Sequence, residues 1–165
     1  MINQNTKKNN HFKYAALYGF NTINDPEKRK KSLLRFCKDN KILGTFLIAH
    51  EGINGTISGL PENIDHVVNF IKSWDEIIDL EVKYSISTQN GFYRMKVKVK
   101  KEIVTMGLPF IDPTNNKGKY VEADKWNEFI SQEDVIVIDT RNFYETSIGK
   151  FKGSIDPSTK TFRDF

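Results

Sequence analysis

Four cations at alternate positions near residue 95 could bind phosphate groups. They are Arg94, Lys96, Lys98 and Lys100, and Met95, Val97 and Val99 lie between them. Because side chains alternate between the two faces of a strand, the four cations would project to one side at intervals of about 6.6–6.8 Å. Clustered Lys and Arg release counterions from nucleic-acid phosphates. The alternatives are a solvated face, or lysines that keep a sheet edge from pairing with another chain, and composition alone favours these alternatives.

A second set of charged residues follows the β-branched run at 135–138. Asp139, Arg141 and Glu145 lie at the carboxyl end of the strand that this run predicts, where α/β folds place their sites. The pattern alone favours an ion pair of Arg141 with Asp139 or Glu145 that ties down the loop.

The histidines and the single cysteine give weaker signals. His50 and Glu51 precede Gly52 and could exchange a proton, but neighbours on a strand point to opposite faces, which favours a structural hairpin. His11 and His66 have no Cys companions, so no metal site is predicted. Cys37 shares a helical face with Leu33 and Leu34, which indicates a buried apolar residue and not a nucleophile.

Hydrophobic periodicity predicts the elements that position these residues. Strands are expected at 12–20, 44–49, 56–59 and 80–86, with Asn54-Gly55 as the strongest turn signal between the middle two. Helices are expected to begin after the N-cap Asp25 and at Pro61. The order β-α-β-β-α-β predicts an α+β, ferredoxin-like domain with an antiparallel sheet and both helices on one face.

The remainder of the chain predicts a further strand and the start of another domain. The strand at 95–100 can add its apolar face to the core, and a Pro/Gly/Asn-rich connector follows it. A helix is expected near Glu122, and the run at 135–138 should form a strand buried in a parallel sheet. We therefore predict a disordered tail at 1–11, a ferredoxin-like domain at 12–105, a linker at 106–120 and an unfinished α/β domain at 121–165.

The composition of the chain excludes several kinds of site and several classes of protein. The chain has 165 residues, a formal charge of +4 and 38% hydrophobic residues, which is typical of a globular chain. One cysteine excludes an intramolecular disulfide, a Cys-pair zinc site and a Cys-ligated iron–sulfur cluster, and favours a reducing cytoplasm. The polar N-terminus is unlike a secretory signal, and no apolar run reaches the roughly 18 residues of a membrane helix.

Three segments in order resemble the rhodanese-domain tRNA uridine hydroxylases. They are residues 46–58 with the turn Glu-Gly-Ile-Asn-Gly-Thr-Ile, residues 95–105, and the run Val-Ile-Asp-Thr-Arg-Asn at 137–142 followed by Tyr144 and Glu145. The resemblance implies oxygen-dependent 5-hydroxylation of the wobble uridine (position 34) of tRNA, with molecular oxygen as co-substrate. The residues themselves show no flavin, haem or metal motif, so the sequence leaves the cofactor unknown. It also implies an acylphosphatase-like N-terminal domain followed by a rhodanese domain. In a protein that acts on tRNA, the four cations become plausible phosphate contacts.

The resemblance does not extend to the family's catalytic thiol. Asp139, Arg141 and Glu145 match the opening residues of rhodanese domains, but Lys150 stands where the general pattern has His. The family's catalytic Cys lies in a later loop, and no cysteine follows Cys37 here. We therefore expect an N-terminal portion of the enzyme, inactive by itself, with no catalytic residue of its own.

Other functions remain open at this point. A non-catalytic RNA- or protein-binding ferredoxin-like module would explain the basic strand equally well. A rhodanese-type sulfurtransferase fragment would need the same absent thiol. A stand-alone acylphosphatase would need an anion-binding loop with a positioned Arg, which the sequence does not show.

Overall fold

The computed structural model describes residues 11–104 and 118–159. It divides the chain into two compact units, Met1–Ile103 and Val104–Phe165. Nearly all of the tail predicted at 1–11 and most of the linker predicted at 106–120 lie outside the described residues.

The first unit is built from five strands and two helices. In chain order they are β1 (Phe12–Phe20), α1 (Pro26–Asp39), β2 (Leu43–Ala49), β3 (Gly52–Gly59), α2 (Pro61–Lys72), β4 (Glu81–Ser87) and β5 (Met95–Val99). The strands form one sheet in the order β4-β1-β3-β2-β5. The first four pair antiparallel, and β5 pairs parallel to β2. This is the predicted ferredoxin-like arrangement, extended at one edge by β5.

Both helices begin where the sequence predicts. The Asp25 carboxylate accepts a hydrogen bond from the Lys28 amide at 2.9 Å, which satisfies one of the unpaired donors of the first turn of α1. Pro26 and Pro61 occupy the first turns, where a missing N–H removes no helical hydrogen bond.

The core lies between the helices and one face of the sheet. Alternate strand residues supply one side of it, and Leu33 and Cys37 of α1 and Ile64 and Ile71 of α2 supply the other. The strand side chains of this core that are almost completely buried include Ala15, Leu17, Phe46, Ile48, Ile53 and Ile57. Val97 of β5 joins this cluster at 7% exposure, as the alternation of its strand predicts.

The β2–β3 turn is not where the sequence signal put it. The chain reverses at His50 and Glu51, while Asn54 and Gly55 lie within β3 and pair with Leu47 and Phe46. A Cβ on Gly55 would stand 2.3 Å from a ring carbon of Phe46. The glycine is therefore required by close packing, and a turn was the wrong interpretation of Asn54-Gly55.

The second unit contains two short helices, α3 (Trp126–Ile130) and α4 (Phe143–Thr146). The strand predicted at 135–138 is reduced to a parallel bridge between Ile138 and Ile155. Ile136 is 70% exposed and Ile138 is 49% exposed, so the prediction of burial on both faces is wrong for the described residues. A β-branched run can form a buried strand only where neighbouring strands and helices cover it.

Candidate nucleic-acid interface

On the side opposite the helices, no helix or strand of the described residues of the first unit covers the sheet, and we call this side the open face. Strand register aligns two rows of side chains across this face. One row runs Lys96, Thr45, Thr56, Ala16, Lys83, and the next runs Lys98, Leu47, Asn54, Tyr18, Glu81. Uncharged residues therefore occupy the middle of the face, and charged residues occupy its two edges.

The four cations predicted from the sequence line one edge of this face, and we call them the cation row: Arg94, Lys96, Lys98 and Lys100. Lys96 and Lys98 stand in β5, beside Thr45 and Leu47 of β2. The ladder continues past both ends of β5, since the Gly44 amide donates to the Arg94 carbonyl at 3.2 Å and the Lys100 amide donates to the Ile48 carbonyl at 2.9 Å. Within residues 11–104 and 118–159, no carboxylate forms an ion pair with the cation row.

The cations of α1 differ from the cation row because several are paired within the fold. Arg29 binds Glu76 and lies 4.7 Å from the centre of the Trp74 ring. That contact holds the pKa of the Glu76 carboxyl below its usual range. Lys30 pairs with Glu27 at 3.1 Å, and Arg35 lies 3.9 Å from Asp39. The positive charge of these α1 side chains is therefore partly neutralised. The cation row has no such ion pair in the described residues and is available to an external anion.

Aromatic side chains also lie on the open face. Tyr14 packs against Phe92 with ring centres 6.0 Å apart, and its hydroxyl accepts from the Gly91 amide and donates to the Gln89 carbonyl. Tyr18 and Phe20 meet edge to face at 5.3 Å. Tyr14 thus anchors the loop before β5, while Tyr18 stands half-buried beside Ala16 and Asn54.

A concavity on the open face was missed by the sequence analysis. It has a volume of about 210 Å³ and is lined chiefly by Ala16, Tyr18, Asn54, Thr56, Glu81 and Lys83. Lys83 and Glu81 pair at 2.9 Å across its outer edge. Alternate positions of β1 and β3 supply its floor, and only the register of these strands brings them together.

His50 and Glu51 serve as structural residues of the β2–β3 turn. The Nδ1 atom of His50 lies 2.9 Å from the Ile23 carbonyl, and the Glu51 carboxylate accepts from the Ile103 amide at 2.6 Å. Their side chains bind backbone groups on different segments, as expected for a structural hairpin.

The chain's only thiol has the properties of a core side chain. Cys37 is fully buried in the helix–sheet core, and burial raises its pKa to about 12. A neutral, inaccessible thiol is a poor nucleophile. Among the residues described, no group of three or more His, Cys, Asp or Glu side chains is placed to hold a metal ion. In the same part of the chain, no helix is long and apolar enough to cross a bilayer.

In the second unit, Arg141 pairs with Asp139 and not with Glu145. The guanidinium donates to both Asp139 carboxylate oxygens, at 2.9 and 2.7 Å, and to the Gly149 carbonyl at 2.8 Å. Glu145 instead accepts from the Asn142 side chain at 2.9 Å. The hydrogen bonds from Arg141 hold the pKa of Asp139 below its ordinary value. This arrangement fixes the loop between the β-bridge and α4.

Comparison with known proteins identifies the family to which this chain belongs. The sequence profile of the UPF0176 acylphosphatase-like domain matches residues 12–103, which are the five strands and two helices of the first unit. The chain belongs to this family.

Two similar curated proteins carry the name tRNA uridine(34) hydroxylase. The protein from Acaryochloris marina is 48% identical over 153 residues, and the protein from Agrobacterium fabrum is 50% identical over 154 residues. Each match covers 93% of this UPF0176 chain and 49% of the relative, so the chain spans about half the length of these relatives. Among solved structures, the Bacillus subtilis acylphosphatase matches 53% of this chain and 98% of its own, with 14% identity and a TM-score of 0.42.

Proposed function

We propose that this UPF0176 chain is the tRNA-binding, N-terminal portion of an oxidoreductase that hydroxylates the wobble uridine of tRNA at C5 with molecular oxygen. The observation that carries the proposal is the cation row, four cations at one edge of an open sheet face without ion-pair partners in the described residues. The names of the relatives support tRNA as the polyanion that it binds.

In this proposal, the cation row positions the tRNA and does not choose the base. Lys and Arg contacts to phosphates fix register and orientation but carry no sequence information. Residues 121–165 are proposed to begin a rhodanese domain, with Asp139, Arg141 and Glu145 as its loop-supporting residues. The proposed setting is the cytoplasm, where tRNA is modified.

In this proposal, the catalytic thiol that the family resemblance implies for hydroxylation is not one of the groups of this chain. Its one thiol, Cys37, is buried and protonated at neutral pH, and it lies in the core of the tRNA-binding unit. We therefore propose that this chain by itself binds tRNA and does not hydroxylate it.

A paired binding and activity assay tests the proposal. The chain should bind a tRNA that has uridine at the wobble position, as followed by fluorescence anisotropy. Mass spectrometry of nucleosides after aerobic incubation should detect no 5-hydroxyuridine, while the Agrobacterium fabrum relative serves as the positive control. Absence of tRNA binding at low salt would overturn the binding role, and 5-hydroxyuridine formed by the chain would overturn its catalytic inactivity.

A further inference from the structure

Two rows of neighbouring side chains across the strands connect the concavity on the open face with the cation row. The two rows of side chains that end at Lys96 and Lys98 cross the concavity, which Ala16 and Tyr18 of β1 help to line. Three strand intervals separate β1 from β5 in the sheet, or about 14–15 Å. A ligand that extends across the face can therefore occupy the concavity and reach the cations at once.

The walls of the concavity combine a ring with polar groups. Tyr18, whose ring meets the Phe20 ring edge to face, is the aromatic residue of the lining. Ala16 and Thr56 form a shallow floor, and Asn54 and Glu81 contribute an amide and a carboxylate. The volume of about 210 Å³ is below the roughly 300–1,000 Å³ of pockets that enclose drug-sized ligands. The site therefore suits a single planar ring with polar edges, and not a whole nucleotide.

We infer that the concavity holds one unpaired base of an RNA whose backbone continues over Lys96 and Lys98. This inference rests on the proposed function, because the RNA is the one that the cation row binds. Exposed aromatic side chains on a sheet stack roughly two or three bases of single-stranded RNA in other RNA-binding sheets. Here Tyr18 supplies the ring, and Asn54 and Glu81 supply partners for the edge of the base.

Charge and polarity favour RNA over a protein partner on this face. The cations at the β5 edge lack ion-pair partners among the described residues, and a phosphate backbone supplies matching negative charge. An apolar protein surface would desolvate Asn54 and the Glu81–Lys83 pair without giving them hydrogen bonds. A base inside a duplex is paired and stacked and cannot enter the concavity, so the ligand is a loop or a single strand.

Two variants test the base site without changing the cation row. Tyr18→Ala removes the ring, and Thr56→Gln fills the concavity from an exposed position in the middle of the sheet. Tyr18→Phe keeps the ring, and Ser85→Gln makes a neutral enlargement on exposed β4 outside the concavity. The probes are the anticodon arm of a wobble-uridine tRNA and a fully paired RNA duplex with the same number of phosphates.

The expected result distinguishes the contribution of base stacking to affinity from the contribution of phosphate contacts. Tyr18→Ala should weaken binding of the anticodon arm about 5- to 150-fold, the range for loss of one base–aromatic stack, and Thr56→Gln should weaken it in the same direction. The slope of affinity against salt should stay unchanged, since no phosphate contact is lost. The duplex should bind all variants equally, and both control variants should behave like the wild type.

Other outcomes distinguish failure of this inference from failure of the proposed function. If the anticodon arm binds and depends on Lys96 and Lys98 but not on Tyr18 or Thr56, the base site is wrong while the tRNA-binding role stands. If the chain binds neither RNA, both are wrong. Photocrosslinking of the wild-type chain to anticodon arms with 4-thiouridine in the loop avoids any folding defect of a variant. Crosslinks to β1 or β3 peptides support the site, and crosslinks confined to β5 overturn it.

Discussion

The Glu51 carboxylate accepts a hydrogen bond from the backbone amide of Ile103 at 2.6 Å. Glu51 lies in the β2–β3 turn. Ile103 comes after the cation row in the sequence, at a position that is in neither a helix nor a strand. The Asn54 side chain also approaches the Ile103 carbonyl, at 3.5 Å. The turn thus anchors the chain as it leaves β5 and fixes the end of the strand that carries Lys96 and Lys98.

Replacing Glu51 should loosen this anchor. Glu51→Ala leaves the amide of buried Ile103 without its acceptor, which costs about 1–3 kcal/mol of unfolding free energy. Glu51→Gln keeps an acceptor oxygen and should recover most of the loss. Urea denaturation measures the stability, and hydrogen exchange of the Ile103 amide reports the local effect. Equal stability of Glu51→Ala and wild type would contradict the anchoring role.

Gly55 should tolerate no side chain. A Cβ there would lie 2.3 Å from Phe46 Cδ1 and 2.6 Å from the Thr45 carbonyl oxygen, so Gly55→Ala should destabilise the first unit by about 1–3 kcal/mol through overpacking. Gly118→Ala is the matched control, because its Cβ would meet no atom within 4 Å. Thermal unfolding of the two variants measures this difference in stability. A melting temperature for Gly55→Ala that equals the wild type would show that Asn54-Gly55 is not packed as described.

The first unit was largely predictable because its signals are local. Helix caps, alternation along the strands and spacing along α1 and α2 each depend on a few neighbouring residues. The error at Asn54-Gly55 has a non-local cause, since the requirement for glycine comes from Phe46 on the adjacent strand. The concavity was not predictable for the same reason: its walls come from β1, β3 and β4, and only strand register brings them together.

Cys37 should be unreactive in the folded chain. Its burial and raised pKa of about 12 leave almost no accessible thiolate at pH 8. A disulfide reagent such as DTNB should therefore release a negligible absorbance signal from the native chain and one equivalent of thiol after denaturation. Rapid, stoichiometric reaction under native conditions would show that the thiol is accessible.

The Asp139–Arg141 pair should make the second unit sensitive to acid. Arg141 lowers the pKa of folded Asp139, so the pair's stabilisation is present above the unfolded carboxyl pKa of about 3.9 and is lost as pH falls through the folded value. In Arg141→Gln, the pKa of Asp139 should rise, as measured by NMR titration of its carboxyl carbon.

Glu145→Gln supplies the control for that titration. Glu145 accepts its hydrogen bond from Asn142, so this variant should leave the pKa of Asp139 close to the wild-type value. An unchanged pKa of Asp139 in Arg141→Gln, together with a fall in Glu145→Gln as the guanidinium is released to Asp139, would mean that the guanidinium binds Glu145 in solution. The sequence left the choice between these two carboxylates open, because both lie within reach of Arg141 along the chain.

The salt dependence of tRNA binding tests the central claim most directly. The logarithm of affinity should fall linearly with the logarithm of salt concentration, and Lys96→Ala/Lys98→Ala should reduce the slope by about 1.4–1.8, as expected for two lost phosphate contacts. Lys38→Ala/Lys72→Ala removes the same charge from exposed helical positions and should leave the slope nearly unchanged. Equal slopes for the β5 variant and the wild type would contradict the assignment of tRNA phosphates to the cation row.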